Sequence, residues 1–465
     1  MLARSETMDS FFDVVIVGAG PSGLMAAYEL SSKTRCSICI MDMGTEVSSR
    51  ECGLITYGKC QRCETCKVVH GFAGAGLFSD GKLCLSNKVG ERLGDTNKFT
   101  PALVKTVDKF LGVQAQEKQS SKKHADRMKK IADEAGLGLE LYPVKAIPHK
   151  ESVGFLSGLQ REIYARRVTF YANAYVSEFH KLPSGEWETV AKKQGGNFII
   201  RSRFLLIGIG KSGSRWLIEQ LSKLGVESKP TAFYFGVRIE TKREIMNNVM
   251  RLSYNPKFFA GKDGPFYVKS HCFAEGGCVI AYVYDGIIVA GGFTDNTNNT
   301  SFSVLVKHNP PFPFRTVDYS RWMCELINHL GKNKVILQRL GDFKEGRASK
   351  RIDIENNLVT PTMKDYSLYN LSSFFEKNIR FVILDFIKKL DCLCSGLDKE
   401  STLVYGPASE WVVDRISLNS EMETICENLY VIGDGSGATQ GIVAAASTGL
   451  IAAQSVADKI SKTVI

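Results

Sequence analysis

The chain has 465 residues, 44% hydrophobic and 23% charged, and these globular proportions exclude a disordered or fibrous protein while the length predicts two or three domains. The net charge of +10 permits an anionic partner, and thirteen cysteines, an odd number, predict a reduced, cytoplasmic protein. No apolar run approaches the ~20 residues of a membrane span, and the first apolar stretch is too short for a secretory leader. We therefore predict no membrane partner.

Predicted strands and helices alternate along the chain, as in an α/β protein. A strand at 11–17, a helix at 21–31 and a strand at 37–41 open the sequence. Later segments predict strands at 168–180, 198–207 and 232–239, a hairpin of 279–284 and 286–292, a helix with Phe381, Leu384, Ile387 and Leu390 on its apolar face, a strand at 429–432 and a helix at 441–460.

Positive charge is concentrated between Lys98 and Lys130, where nine Lys and Arg residues outnumber three Asp and Glu residues. Apolar residues within 103–111 recur at helical spacing, which predicts an amphipathic helix followed by a polar, lysine-rich segment. Two interpretations stay open, a solvated helical insertion or a surface that binds a nucleic acid or another polyanion. No aromatic residue is interleaved with 118–130, which weakens the case for base stacking.

A glycine-rich turn follows the first strand. Gly18 permits the tight turn, Gly20 lets the backbone approach a pyrophosphate, and Gly23 lets the helix pack closely on the strand. The helix amino terminus attracts phosphate charge, and Asp42, 19 residues after Gly23, can bind ribose hydroxyls. The order of strand, turn, helix and strand predicts a dinucleotide-binding site for FAD or NAD.

A second glycine-containing segment ends the strand near the carboxyl terminus. Gly433 and Asp434 close this strand, and a helix begins near Gly441 and Ile442. The segment resembles the second flavin fingerprint of the two-dinucleotide-binding flavoproteins. The resemblance implies that Asp434 binds the ribityl chain of FAD and that the helix points its positive end at the flavin pyrimidine ring.

A third glycine segment, 208–213, follows the strand at 204–207. In flavoproteins of this group, such a strand returns the chain to the FAD domain. The alternative is the start of an NAD(P) domain, but no acid ends a following strand about twenty residues on. Without an NAD(P) domain, NAD(P)H would dock only transiently as an electron donor, or the electrons would come from the substrate.

Several motifs together resemble the poorly characterised FAD-dependent dehydrogenase family of bacteria and archaea. They are the segments 70–82, 236–240, 340–343 with 346–347, 360–362 and 405–406. The similarity covers nearly the whole chain and implies FAD and redox chemistry without a defined substrate. Lys211 and the lysine-rich insertion depart from the family pattern, so a substrate is not transferred from relatives.

The glycines of segment 74–82 predict a loop that passes close to a flat ring. Gly74 and Gly76 would allow this approach, and Ser79, Asp80 and Lys82 would supply polar contacts to flavin or substrate. A tight structural turn is the alternative.

Four cysteines precede that loop: Cys52, Cys60, Cys63 and Cys66. The last three have CxxCxxC spacing, and the four together predict a zinc site or an iron–sulfur cluster that feeds electrons to the flavin. Free or redox-active thiols are the alternative.

Proton transfer has three candidate residues, His271, Cys272 and His149. The resemblance places the strand around His271 and Cys272 in an antiparallel substrate domain that faces the flavin, and His149 matches a family histidine. Imidazole titrates near neutral pH, so either histidine would suit this role. A core cysteine and partly buried histidines are the alternative.

These features predict an α/β fold, a Rossmann-like FAD-binding domain with an inserted antiparallel β substrate domain and a helical insertion. The expected bounds are 10–90, 150–225 and 340–465 for the FAD domain, 91–149 for the basic helical insertion and 226–339 for the substrate domain. The expected function is an FAD-dependent oxidoreductase that moves a hydride between flavin and a small molecule. The alternatives are an FAD enzyme that modifies a base in DNA or RNA, and a flavin electron-transfer protein.

Overall fold

The structure is a computed structural model that describes residues 9–53, 56, 61–79, 81–87, 99–111, 116–118, 120–147, 149–193, 196–262, 264–284 and 286–463. Its strands are β1 (Asp9–Val17), β2 (Ile38–Met41), β3 (Lys82–Cys84), β4 (Gln116–Glu117), β5 (Gly138–Glu140), β6 (Val144–Ala146), β7 (Thr169–Tyr171), β8 (Tyr175–Lys181), β9 (Trp187–Lys193), β10 (Gly196–Ile207), β11 (Ser228–Lys229), β12 (Phe233–Lys242), β13 (Lys257–Ala260), β14 (Val268–Ala274), β15 (Cys278–Tyr284), β16 (Ile287–Phe293), β17 (Asn299–His308), β18 (Val335–Arg339), β19 (Tyr366–Leu368), β20 (Leu403–Glu410), β21 (Arg415–Ile416) and β22 (Leu429–Val431). Its helices are α1 (Pro21–Lys33), α2 (Gly74–Ser79), α3 (Pro101–Leu111), α4 (Lys122–Glu134), α5 (His149–Ala165), α6 (Ser214–Lys223), α7 (Arg243–Met250), α8 (Thr316–Leu330), α9 (Leu340–Glu345), α10 (Arg351–Glu355), α11 (Lys377–Asp391) and α12 (Ile442–Thr463).

A mostly parallel sheet holds both ends of the chain together. Its order is β7-β2-β1-β10-β9-β8, in which β9 and β8 are antiparallel, and β22 pairs with the end of β10 as a parallel neighbour. The strands are apolar because helices cover both faces of such a sheet. Helices α1 and α12 pack closely at Gly449, where an added Cβ would lie 2.0 Å from the carbonyl oxygen of Ser22. The two glycine segments, more than 400 residues apart, therefore lie side by side.

An antiparallel sheet forms the second layer, in the order β19-β18-β20-β12-β17-β14-β13-β5. On β12, Phe233, Phe235 and Val237 enter the core, while Tyr234 and Arg238 lie on the other face. Strands β5, β19 and β20 lie outside 226–339 in sequence, so the sheet extends beyond the range expected for a substrate domain. The α/β class with an added antiparallel sheet is confirmed, and the domain bounds stay a prediction.

Two local predictions were wrong. The single strand expected at 168–180 is divided into β7 and β8, because Asn173 adopts a left-handed backbone, with φ of 54°, and its N–H donates to the Gly44 carbonyl oxygen. The apolar face predicted for α11 is correct at Ile387 and Leu390, which are buried with Ile379, Ile383 and Phe386, but wrong at Phe381, which is 67% exposed.

The basic insertion contains two helices. Helix α3 buries Val104 and Val107, and the lysine-rich part beyond it contains α4, which buries Met128. Within this insertion, the Lys118 ammonium nitrogen lies 2.6 Å from a carboxylate oxygen of Glu275. In the part of the chain that the structure describes, no helix is both long enough and apolar enough to cross a membrane.

His308, the last residue of β17 in the antiparallel sheet, makes the free energy of unfolding depend on pH. Its ring stacks on Phe233, with ring centroids 5.5 Å apart, and burial lowers the pKa of His308 to about 4. The unfolded chain binds a proton below about pH 6.5 that the folded chain does not bind, so stability is lost as the pH falls through that value. Between pH 7 and pH 5, the free energy of unfolding should fall by about 1 kcal/mol less in His308→Phe than in the parent. Urea titrations at the two pH values measure this difference. An equal loss in both proteins would contradict this role of His308.

Candidate functional site

A cavity of about 950 Å³ lies where the parallel strands end and the antiparallel sheet begins. Ligands of α/β proteins bind at the carboxyl ends of the parallel strands, which is the edge that this cavity occupies. The glycine segments after β1, β10 and β22 line one side, and residues of β12, β14 and β17 line the other. Both predicted fingerprints therefore open into the same space.

The three glycines of the first fingerprint differ in what surrounds them. An added Cβ at Gly18 would lie 2.3 Å from the Gly208 carbonyl oxygen, and one at Gly23 would lie 2.0 Å from the Gly18 carbonyl oxygen. At Gly20, an added Cβ meets no protein atom within 4 Å. Gly18 and Gly23 are thus required by packing, whereas the space beside Gly20 at the start of α1 is free for a phosphate group.

Asp42 at the end of β2 holds the walls of this space together. One carboxylate oxygen accepts from the Ala19 N–H at 2.8 Å, and the other accepts from the N–H groups of Gly44 at 2.8 Å and Gly71 at 2.9 Å. A carboxylate has about four acceptor positions, so one remains for a ribose hydroxyl. Asp42, the predicted ligand of the ribose, therefore also holds the backbone at Ala19, Gly44 and Gly71 together. We call these three hydrogen bonds the Asp42 clamp.

Loss of the Asp42 clamp should weaken the site more than loss of its charge alone. Asp42→Ala leaves three backbone N–H groups without their acceptor, whereas Asp42→Asn keeps one oxygen in place. We expect the alanine variant to lose about 1–3 kcal/mol of unfolding free energy and most bound dinucleotide, with the asparagine variant intermediate. Urea titration and cofactor release measure both quantities. Equal behaviour of the two variants would contradict the clamp.

The second fingerprint lies beside the first. One oxygen of Asp434 accepts from the Thr439 hydroxyl at 3.1 Å, and the other accepts from the Gly441 N–H at 3.2 Å and lies 3.5 Å from the Lys211 ammonium nitrogen. Gly433 has a φ of 72°, and α12 begins at Ile442. Asp434, Gly441 and Ile442 line the cavity. Lys211, the residue that departs from the family pattern, therefore pairs with the acid of the second fingerprint.

Segment 74–82 joins the two fingerprints, and most of it is the helix α2 instead of the expected loop. An added Cβ would lie 3.0 Å from the Gly20 Cα at Gly74, and 2.8 Å from the Ile442 side chain at Gly76. These glycines allow close contact between protein elements, although both also line the cavity.

The polar residues of this segment mainly bond to the protein. The Ser79 hydroxyl donates to the Ala75 carbonyl oxygen at 2.8 Å, and the buried Lys82 ammonium donates to the Phe273 carbonyl oxygen. Both residues line the cavity, and Asp80 is outside the described residues. Lys82 thereby ties the glycine-rich side of the cavity to β14.

The antiparallel sheet presents a polar face to the cavity. Lys269 on β14 pairs with Glu410 on β20, and its ammonium nitrogen lies 3.6 Å from the centre of the Tyr234 ring. Both charged side chains are more than nine-tenths buried. The other oxygen of Glu410 lies 3.9 Å from the His271 Nδ1. Tyr234, Lys269, Glu410 and His271 thus form a connected polar row.

His271 lies at one end of this row, with 37% of its side chain exposed. Enclosure by the protein lowers the pKa of His271 to about 4; Glu410 opposes the shift, and Lys269, Lys211 and Lys257 reinforce it. The ring is therefore neutral at pH 7, contrary to the expectation that it titrates near neutral pH. It can accept a proton there, but it holds none to donate as an imidazolium.

The other two candidates for proton transfer differ in position. Cys272 lines the cavity, has a left-handed backbone with φ of 52°, and its carbonyl oxygen accepts from the buried Arg238 at 3.2 Å. His149 is the first residue of α5, and its side chain is outside what the structure describes. His271 and Cys272 are brought to the cavity together, and the role of His149 stays a prediction.

The cysteine segment shows no metal centre within the described residues. Cys52, Cys63 and Cys66 form no disulfide, and Cys60 is outside the described part of the chain. Among the described residues, no group of three His, Cys, Asp or Glu side chains is arranged to hold a metal ion. Neither zinc nor an iron–sulfur cluster is therefore supported. The cytoplasmic location inferred from the cysteines stays a prediction.

Arg50 supports the site, although it belongs to none of the motifs found in the sequence. Its guanidinium donates to the carbonyl oxygens of Lys67 at 2.9 Å, Val68 at 2.8 Å and Phe72 at 2.5 Å, and it stacks on the Phe78 ring. Burial lowers the pKa of Arg50 to about 10, so the group stays charged at pH 7. Arg50 thereby fixes the segment that brings Gly71 to Asp42.

Comparisons with known proteins agree with the first fingerprint. A family model described as an NAD(P)-binding Rossmann-like domain matches residues 16–51. The chain is also 26% identical over 474 residues to a Clostridium beijerinckii protein named "Uncharacterized protein", covering 96% of this chain and 80% of that relative. These similarities do not point to a nucleic-acid partner.

Two solved structures resemble the chain over nearly its whole length. One is a flavoprotein/dehydrogenase from Cytophaga hutchinsonii, with 12% identity, a TM-score of 0.40 and coverage of 97% of this chain and 79% of that one. The other is p-nitrophenol 4-monooxygenase from Pseudomonas putida, with 10% identity, a TM-score of 0.42 and coverage of 98% and 81%. The family-model match confirms the Rossmann-like dinucleotide-binding fold that the glycine spacing predicted for residues 16–51.

Proposed function

We propose that the protein is an FAD-dependent oxidoreductase that acts on a small molecule held against the antiparallel sheet. One observation carries this proposal: the fingerprints at Gly20 and Asp434 line a single cavity, and helices α1 and α12 begin at its wall. A cofactor that spans both fingerprints needs a pyrophosphate beside the first and a polyol chain with a ring system beside the second. FAD meets both needs, because its central pyrophosphate joins adenosine to the ribityl chain and the flavin ring. The free space beside Gly20 fits the pyrophosphate.

When bound, FAD supplies the site for a hydride to be accepted or donated. Asp42 would hold the turn at which the pyrophosphate binds, Asp434 would offer its carboxylate to the ribityl hydroxyls, and the amino terminus of α12 would supply positive potential to the flavin. His271 faces the cavity with a neutral ring, and we assign to it the proton that a substrate hydroxyl or amine would release on oxidation; its lowered pKa makes it a weak base before a ligand binds.

The polar row on the sheet favours an enzyme over an electron-transfer protein. Lys269 and Glu410 are buried charges that line the cavity, and such groups occur mainly where they hold a structure or a ligand in place. Because this pair lies at the cavity wall, we infer that it also helps to hold a ligand there, and a protein that only exchanges electrons with a partner binds no such ligand.

Anaerobic reduction of the purified protein tests the proposal. NADH, NADPH and a set of alcohols, amines and hydroxy acids are added separately, and the visible flavin band is followed. We expect at least one organic compound or nicotinamide to bleach the band, and oxygen or an acceptor to restore it. A flavin band that responds only to a redox protein would support the electron-transfer alternative, and the absence of flavin would refute the proposal.

A further inference from the structure

Three lysines lie on the sheet side of the cavity. Lys257 is on β13, Lys269 on β14 and Lys307 on β17, and all three line the cavity. Lys307 stands opposite Tyr234 in the register of β17 and β12, and Tyr234 in turn stands opposite Glu410. Lys307, Tyr234 and Glu410 therefore lie side by side, Lys269 pairs with Glu410, and Lys257 lines the same cavity. We call these five residues the sheet cluster (Lys257, Lys269, Lys307, Tyr234 and Glu410).

The positive charge of the sheet cluster is only partly balanced. Glu410 is the one carboxylate in it, and Lys269 is its close partner. Lys257 lies 3.7 Å from Glu140, whose carboxylate is half exposed, and Lys307 forms no ion pair with any carboxylate of the described residues. Like charges held together at a partly enclosed wall repel one another, and a bound anion removes that repulsion.

The cofactor does not account for this charge. The space for the pyrophosphate is beside Gly20 at the start of α1, on the opposite wall from β13, β14 and β17. The other cavity-lining lysines have partners of their own: Lys82 bonds to the Phe273 carbonyl oxygen and Lys211 pairs with Asp434. The cationic patch that remains lies on the wall where a substrate would rest.

His271 lies at the same wall. Burial is the main cause of its lowered pKa; among its charged neighbours Glu410 raises the pKa, whereas Lys269, Lys211 and Lys257 lower it. Because the His271 ring is neutral, it does not attract an anion by charge, and the lysine ammonium groups beside it are the groups that an anion would bind. Tyr142 and Tyr282 also line the cavity and offer flat apolar surfaces for the body of an organic molecule.

We propose that the substrate is an organic anion, whose carboxylate or phosphate group binds to Lys307 and Lys257 at the sheet cluster. This inference rests on the proposed function, because it assigns the substrate class of the same cavity. Lys269, fixed by Glu410 and Tyr234, lies deeper and adds to the potential that attracts the anion. Lysine ammonium groups bind a carboxylate and a phosphate alike, as point charges. The proposed substrate class therefore includes organic carboxylates and organic phosphates.

Isothermal titration calorimetry tests the proposal with three probes that share a phenyl ring: benzoate, phenyl phosphate and benzamide, which is the neutral isostere of benzoate. Flavin content is measured first, and the titrations are run on the purified protein whatever that content is. A lack of flavin would refute the proposed function, while the anion titrations would still report on the cluster. We expect benzoate or phenyl phosphate to bind at least about tenfold more tightly than benzamide, and the tighter of the two identifies the anionic group.

Matched lysine variants locate the binding. Lys307→Gln and Lys257→Gln should each weaken the anion about tenfold, and the double variant should bind it no better than benzamide. Lys262→Gln, a change at an exposed lysine just beyond β13 and outside the cavity lining, should bind the anion as the parent does. Equal binding of anions and benzamide, or cluster variants that bind like the parent, would overturn the inference.

Discussion

Gly20→Val should yield a folded protein that has lost nearly all of its flavin. The backbone of Gly20 is extended, with φ of −74°, so a β-branched residue fits there without strain. No protein atom lies within 4 Å of an added Cβ, so the new side chain clashes only with a ligand. Exclusion of the pyrophosphate from the start of α1 should cost about 3 kcal/mol or more in cofactor binding, at least a hundredfold in affinity.

Two further glycine variants separate cofactor loss from unfolding. Gly154→Ala, in α5, also places a Cβ where no atom lies within 4 Å, but far from the cavity lining, and should retain flavin. Gly18→Val, in contrast, drives a Cβ to 2.3 Å from the Gly208 carbonyl oxygen and should unfold the protein. Circular dichroism and flavin absorbance distinguish the three outcomes. A Gly20→Val protein with full flavin content would contradict the assignment of the pyrophosphate site.

Lys269→Met should destabilise the protein by about 3–5 kcal/mol, because it leaves the buried Glu410 carboxylate without its cation. Both side chains are more than nine-tenths buried, so water cannot replace the lost partner. Urea unfolding followed by circular dichroism measures the change in the free energy of unfolding.

Removal of both charges should restore most of that stability. In Lys269→Met/Glu410→Leu, apolar side chains of similar volume replace the pair, and we expect unfolding free energy within about 2 kcal/mol of the parent. The double variant should fold yet bind the organic anion less tightly, since Lys269 contributes to the potential at the sheet cluster. A single Lys269→Met variant as stable as the parent would show that the pair is not buried as described.

The fingerprints could be predicted from the sequence because their determinants are local. Gly18, Gly20 and Gly23 lie within one strand–turn–helix unit, and the turn imposes the spacing. Helix α2 could not be predicted in the same way. Its glycines predict a loop. The segment instead packs as a helix against Gly20 and Ile442, which are far from it in sequence.

The sheet cluster was missed for a related reason. On β12, Tyr234 and Arg238 alternate with Phe233 and Phe235, so polar residues recur every second position along an otherwise apolar strand. That period of two is the signal that could have indicated a buried polar face. Lys269 and Glu410, however, are 141 positions apart, and β12 and β17 lie between their strands in the sheet, so the side chains meet above the polar face of these two strands.

The flavin content of the purified protein tests the central claim most directly. The protein is denatured, and the released cofactor is identified and quantified by chromatography against FAD, FMN and NAD standards. The two fingerprints that share one cavity predict about one FAD per chain, reduced to near zero in Gly20→Val and unchanged in Gly154→Ala. Release of NAD alone, or of no cofactor from protein folded in FAD-supplemented medium, would contradict it.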